Sequence, residues 1–246
     1  MADGAATGST RGGRKPGRPR VNPRPLVGEP RDEVLAAASR LFATHGVAAT
    51  RMSEIAAEAG LGQSSVYYYF RNKQEILREL VADANRIPLE LLRRVEAEGG
   101  PAALQLFRLL RLDVQALCAI PYDINEVHRL SGQDPRTFAV YWRERQQLND
   151  GVEAIVRDGV RSGELRPVDP RLTALTLLAN DEGVQNWYRP VGRQRLRGRD
   201  GADYTPAEIG TELASFALNS LLRDRRRLPG IVREADALDA DVAPFR

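Results

Sequence analysis

From Arg31 onward, apolar residues recur every three or four positions along most of the chain, the period of a helix that buries one face. Val34, Leu35, Ala38, Leu41 and Phe42 make the first such stripe, and Gly46 supplies a stop. A short helix is expected over about 52–59 with Ile55, Ala56 and Ala59 inward. Gly60-Leu61-Gly62 reads as a turn, and Gln63 to Tyr69 as a third helix. A longer helix starts at Lys73, with Ile76, Leu77 and Leu80 on one face, and Pro88 kinks or ends it.

Several later helix starts are marked by a capping residue or a proline suited to a first turn. Pro101 opens a helix to about Ile120, in which Leu104, Phe107, Leu110, Val114 and Leu117 are apolar, and a short helical segment follows near 125–130. Asp134-Pro135 opens a long helix to about Arg161, closed by Ser162-Gly163, and Asp169-Pro170 opens another to about Trp187. Residues 189–203 form an Arg- and Gly-rich loop. Thr205-Pro206 then starts the last long helix, with Ile209, Leu213, Phe216, Ala217, Ser220 and Leu221 along one side. Strand-like alternation and internal repeats are absent. The expected fold is all-α, with about nine helices. A disordered basic arm (1–30) precedes a three-helix helix-turn-helix domain (31–80), a larger helical ligand-binding and dimerisation domain (81–228) and a frayed tail (229–246).

Charge sharpens this picture. The formal net charge of the 246 residues is only +3, yet residues 11–24 carry Arg11, Arg14, Lys15, Arg18, Arg20 and Arg24 with no acid. A basic arm on a balanced body points to an anionic polymer as partner. A single cysteine, Cys118, rules out an internal disulfide and fits a reducing cytoplasm. No apolar run approaches the ~20 residues of a membrane span, and no apolar stretch follows the N-terminal basic residues as a secretory signal requires.

Two short helices joined by a tight glycine turn are the geometry that seats a helix in the major groove of DNA. With Val66 and Phe70 facing inward, Gln63, Ser64, Ser65 and Tyr68 are left outward. Small polar residues at a helix start allow close approach to base edges, Gln can pair with adenine, and backbone N–H groups there suit phosphate. On spacing alone an ordinary helical hairpin, with the tyrosines as core, remains open.

The run from Thr50 to Lys73 closely resembles the DNA-binding signature of TetR-family repressors. The matching pieces are Thr50, Ile55-Ala56, Ala59-Gly60, Tyr67-Tyr68-Tyr69-Phe70 and Lys73 followed by Leu77. The resemblance spans roughly residues 31–80, and the remainder matches in helix order. It implies phosphate contacts from Thr50, Tyr68 or Tyr69, and Lys73, base-edge contacts from Gln63, Ser64 and Ser65, a DNA contact from Arg51, and Tyr67 packed between helices. Ser65-Val66 stands where many members have Thr-Leu, and Ser64 where glycine is common, so an operator cannot be carried over.

The same resemblance implies a ligand cavity among the middle helices, with Phe107, Leu110, Cys118, Tyr122, His128, Phe138, Tyr141, Trp142, Gln185 and Trp187 as candidates. Aromatics at helical spacing also serve as plain core. Arg143 and Arg145 are candidates for an anionic ligand or a solvated face, and Asn180-Asp181-Glu182 interrupt an otherwise apolar helix. The last two long helices are expected to pair with a second subunit through Leu172, Leu175, Leu178, Leu213, Phe216, Ala217 and Leu221, since two-fold pairing doubles the readout of a palindrome. The implied function is a repressor released from its operator by a small, largely apolar effector, a lipid-derived acid or its CoA ester being favoured. An architectural DNA-binding protein without an effector is the alternative.

Lys15-Pro16-Gly17-Arg18-Pro19-Arg20 resembles an AT-hook, in which prolines hold the chain extended and Arg18 and Arg20 enter a narrow minor groove. A merely basic tail is the other reading. An enzyme is disfavoured. His45 and His128 are the only histidines, and there is no Cys/His cluster for a metal, no phosphate loop after a strand and no nucleophile elbow. No cofactor is expected.

Overall fold

The first apolar stripe forms α1 (Pro30–Ala49), which turns sharply at Gly46 and buries Val34, Ala37, Ala38, Phe42 and Val47. It is followed by α2 (Met52–Glu58) and α3 (Gln63–Tyr69), then α4 (Lys73–Val81) and α5 (Arg86–Glu98). In this computed structural model the residues described are 29–82, 85–119, 124–188, 197–198 and 201–240. All named elements among them are helical. Arg18, Arg20 and Tyr122 lie outside the described residues, as does most of the Arg-rich loop.

The long helix expected from Lys73 is two helices. Pro88 occupies the first turn of α5, where its missing N–H costs nothing. α6 (Ala102–Ala119) is the hub of the C-terminal half and packs against α5, α8 (Ala139–Ser162), α9 (Pro170–Glu182), α10 (Pro206–Leu221) and α11 (Leu228–Leu238). Its first turn is capped by Glu164, whose carboxylate accepts from the Ala102 and Ala103 amides at 3.3 and 3.2 Å. α10 lies so close to α6 that a Cβ on Gly210 would stand 2.5 Å from the Arg111 carbonyl oxygen. α7 (Ile124–Gln133) precedes α8, and a 3-10 turn, Gly183–Asn186, extends α9.

The cap residues read from sequence act as expected. The Asp169 carboxylate accepts from the Leu172 amide at 2.7 Å, and Thr205 and Glu208 cap each other at the start of α10. Asp134 caps the Thr137 amide, but the continuous helix begins only at Ala139.

The frayed tail is a correction. Residues 228–238 form α11, with Ile231 and Ala235 buried and Leu228 and Val232 packed beside them. Its anchor is ionic. Asp239 accepts from Arg108 at 2.7 Å and from Arg111 at 2.5 Å, and Arg111 also reaches Asp236 at 2.6 Å. Arg108 is in turn paired with Glu98. Pro229 and Gly230 at the helix start disguise the apolar spacing, and the arginines that answer the tail's acids lie more than a hundred residues away in sequence.

Among the described residues two large apolar cores result. One joins α5, α6, α8, α9, α10 and α11. The other holds Phe42, Ile55, Val66, Phe70, Ile76 and Leu77 of the first four helices, and it continues into Ile124 and Val127 of α7, Phe138, and Tyr141 of α8. The boundary expected near residue 80 is therefore crossed by packing.

Candidate nucleic-acid interface

α2 ends where Gly60 takes φ 65°, a left-handed conformation that a side chain would strain, and the Leu61 amide closes the turn on the Ala56 carbonyl at 2.9 Å. Leu61 packs into the core, and Val66 and Phe70 hold α3 from beneath. With that face fixed, Gln63, Ser64 and Ser65 are exposed at the helix start. Tyr68 is 82% exposed and Tyr67 47%, whereas Tyr69 is half-buried against the core with its ring edge-on to Tyr68 at 5.0 Å.

Three expectations are thereby corrected. Tyr67 is not packed between helices: it stands outward beside Tyr68, one position short of the inward Val66–Tyr69–Phe70 face. Thr50 is 1% exposed, and its hydroxyl donates to the Gly46 carbonyl at 2.8 Å, so it locks the end of α1 rather than meeting solvent. Lys73 Nζ donates to the carbonyls of Val47, Ala48 and Thr50 at 2.7, 2.7 and 3.1 Å, which engages all three of its protons. Lys73 thus ties the start of α4 to the end of α1. Arg51 is exposed, its amide donating to Glu54 at 2.7 Å. Exposed Arg71 stands between α3 and α4 on the same stretch, and its amide donates to Glu75 at 2.7 Å. Sequence reasoning did not place Tyr67 or Arg71 on this exposed face, although both lie inside the matched run from Thr50 to Lys73.

Residues 34–80 match the model for bacterial regulatory proteins of the tetR family, and 124–221 that for a tetracyclin repressor-like C-terminal domain. The chain belongs to the TetR family. TtgR of Pseudomonas putida, an HTH-type transcriptional regulator, is 29% identical over 168 residues, 65% of this chain and 80% of its own. The structure of AmtR from Mycobacterium smegmatis superposes with a TM-score of 0.67 at 28% identity, covering 91% of this chain and all of that one. AibR, solved with isovaleryl coenzyme A and operator DNA, shares the fold with a TM-score of 0.62 at 22% identity over 79% of this chain and 98% of its own. The matched family is one of bacterial regulatory proteins, and this TetR-family chain is a transcription regulator with a helix-turn-helix. None of the helices described is long and apolar enough to cross a membrane.

Most of the expected effector residues do not converge. Phe107 and Leu110 are fully buried in the C-terminal core and are structural. Cys118 lies in a small cluster with Val114, Val184 and Ile209, where burial pushes its thiol up to about 12. Phe138 and Tyr141 belong to the core shared with the DNA-binding domain. Gln185 is a clamp: Oε1 accepts from the Ile124 amide at 2.7 Å and Nε2 donates to the Leu117 carbonyl at 2.9 Å. Trp187 is exposed and lines a surface groove of about 690 Å³ with Tyr204, Ile209 and Leu213. His128 and Trp142 stack at 5.5 Å beside Tyr141, so these three candidates from the sequence do meet.

The dimer residues also divide. Leu172 and Leu175 on α9 and Phe216 on α10 are exposed, Phe216 at 74%, and Leu213 is half-buried. Leu178, Ala217 and Leu221 are buried within the chain's own core, so they hold the monomer together and present nothing to a partner.

Proposed function

We propose that this TetR-family regulator is a repressor that, as a homodimer, binds a palindromic operator with α3 in the major groove and is released by a small-molecule effector. The carrying observation is the outward row of Gln63, Ser64, Ser65, Tyr67 and Tyr68 on a short helix whose other face is locked by Val66 and Phe70. Gln63, Ser64 and Ser65 face base edges. Tyr67, Tyr68 and the guanidinium groups of Arg51 and Arg71 meet phosphates. The basic arm, through Arg18 and Arg20, follows the adjoining minor groove. The apolar trio Leu172, Leu175 and Phe216 covers itself against a second copy, which sets the distance between the two recognition helices. A partner of this kind implies that the protein works in the cytoplasm, with DNA. That AibR was solved with an acyl-CoA and operator DNA supports effector control on this fold, though not that particular ligand.

Selection of duplexes from a random pool, followed by salt titration of the best one, tests the reading. A palindromic consensus is expected, with Gln63→Ala changing base preference and Tyr68→Ala weakening binding to all sequences while flattening the salt dependence. Recovery of no preferred sequence, or indifference to both variants, overturns it.

A further inference from the structure

The buried polar chemistry of the C-terminal domain gathers where α6, α7, α8 and α9 meet. Asp113 of α6 and Asp181 and Glu182 of α9 are all buried. Against them stands Arg145 of α8, which ion-pairs with Glu182, while His128 Nδ1 of α7 lies 3.6 Å from the other Glu182 oxygen. Among the described residues, three carboxylates thus share one guanidinium. Burial, with Arg145 nearby, pushes His128 down to about 4, so the imidazole adds no positive charge at neutral pH.

Asp181 is the residue left over. It is 0% exposed, and neither of its oxygens finds a hydrogen-bonding partner of good geometry. Burial, then the charges of Asp113 and Glu182, hold its carboxyl well above the ordinary range. A buried carboxyl short of donors is costly, so the fold keeps in Asp181 an acceptor that only the neighbouring Asn180 side chain approaches. Among the described residues no group of three or more acidic, histidine or cysteine side chains is set to hold a metal ion. Beside these acids lie aromatic faces: His128 contacts Tyr141 at 5.7 Å and Trp142 at 5.5 Å between ring centroids, and Tyr141 contacts Trp142 at 5.4 Å. Carboxylates next to aromatic rings receive an organic cation, through charge-assisted hydrogen bonds on one side and ring faces on the other. An anionic head would face acceptors where it needs donors.

We infer that this centre takes the protonated amine of an otherwise apolar effector, with Asp181 pairing the ammonium and Trp142, Tyr141 and His128 flanking its apolar part. The inference rests on the effector-controlled reading above and departs from the lipid-derived acid that the sequence favoured. It also supplies the link to DNA. Tyr141 belongs to the core that holds Phe42, Phe70 and Ile76, and Trp142 packs against it, so an occupant here bears directly on the helix-turn-helix domain.

Calorimetric titration of the full chain with decylamine, decanol and decanoate at neutral pH tests it. Decylamine is expected to bind about tenfold or more tighter than decanol, and decanoate more weakly than either. Asp181→Asn, which keeps the shape, is expected to remove that preference, so that decylamine binds no tighter than decanol. Should that variant not fold, Glu182→Gln carries the same comparison. Tighter binding of decanoate, an amine preference that survives Asp181→Asn, or binding of none of the three overturns the inference. Duplex release separates the two readings. Asp181-dependent amine binding that leaves duplex affinity unchanged keeps this site and removes effector control by it. Release by decanoate alone keeps effector control and removes the cation site.

Discussion

Asn85 Nδ2 donates to the main-chain carbonyl of Tyr141 at 2.9 Å, with both residues buried, and so ties the start of α5 to the first turn of α8. α5 follows closely on α4, which Lys73 fastens to α1, and Tyr141 touches the aromatic group beside the buried acids. A shift of α8 caused by an occupant has a continuous packed route to the recognition helix, as release by linkage requires. Asn85→Ala removes the donor from a buried carbonyl and is expected to cost about 1–3 kcal/mol of stability. It should also weaken the coupling between effector and duplex affinity. Chemical denaturation and duplex titration with effector present measure the two effects separately.

Lys73→Met is expected to lower stability by roughly 1.5–3 kcal/mol, the range for hydrogen bonds to a charged group. Because Nζ is engaged with carbonyls, the variant should weaken duplex binding without changing its salt slope. A slope reduced as much as by Tyr68→Ala would return Lys73 to the phosphate contacts.

Removing Asp239 leaves buried Arg108 with Glu98 alone and Arg111 with Asp236 alone. Asp239→Ala is expected to cost up to about 3–5 kcal/mol, the range for removing one partner of a buried ion pair. Deleting residues 228–246 also uncovers the face beneath Ile231 and Ala235 and should be worse. Thermal unfolding of both variants within the noise of the parent would contradict an ionic anchor for α11.

Phe216→Asp adds a charge to an apolar patch that the monomer leaves open, so folding should be unaffected. If that patch seats the second copy, sedimentation will show monomers and duplex affinity will fall steeply.

Burial pushes Glu182 up to about 7 from 4.5, against the opposing pull of Arg145. An acid whose folded value is raised contributes stability that is complete below pH 4.5 and is lost as pH rises towards 7. His128 runs the other way. Its value falls from 6.5 to about 4, so its contribution is present above pH 6.5 and is lost on acidification through 4. Glu182→Gln is expected to remove the first effect alone. The melting temperature of the variant relative to the parent should therefore climb between pH 4.5 and 7 and level off above; a flat difference would refute it.

The helices and the recognition motif were legible because they are local facts. Apolar spacing, Asp169-Pro170, Thr205-Pro206 and Gly60 each act within a few residues of themselves, and the match from Thr50 to Lys73 is contiguous. What Thr50, Lys73 and Tyr67 do was not legible, since one helical step decides whether a side chain meets a carbonyl, a core or water. The same holds for the tail, whose Asp239 has meaning only once Arg108 and Arg111 of α6 are beside it. Asp113, an acid amid leucines, was a visible signal that went unread. Its partnership with Asp181, Glu182 and Arg145 exists only where three helices converge, because burial and charge are properties of that meeting and of no single segment.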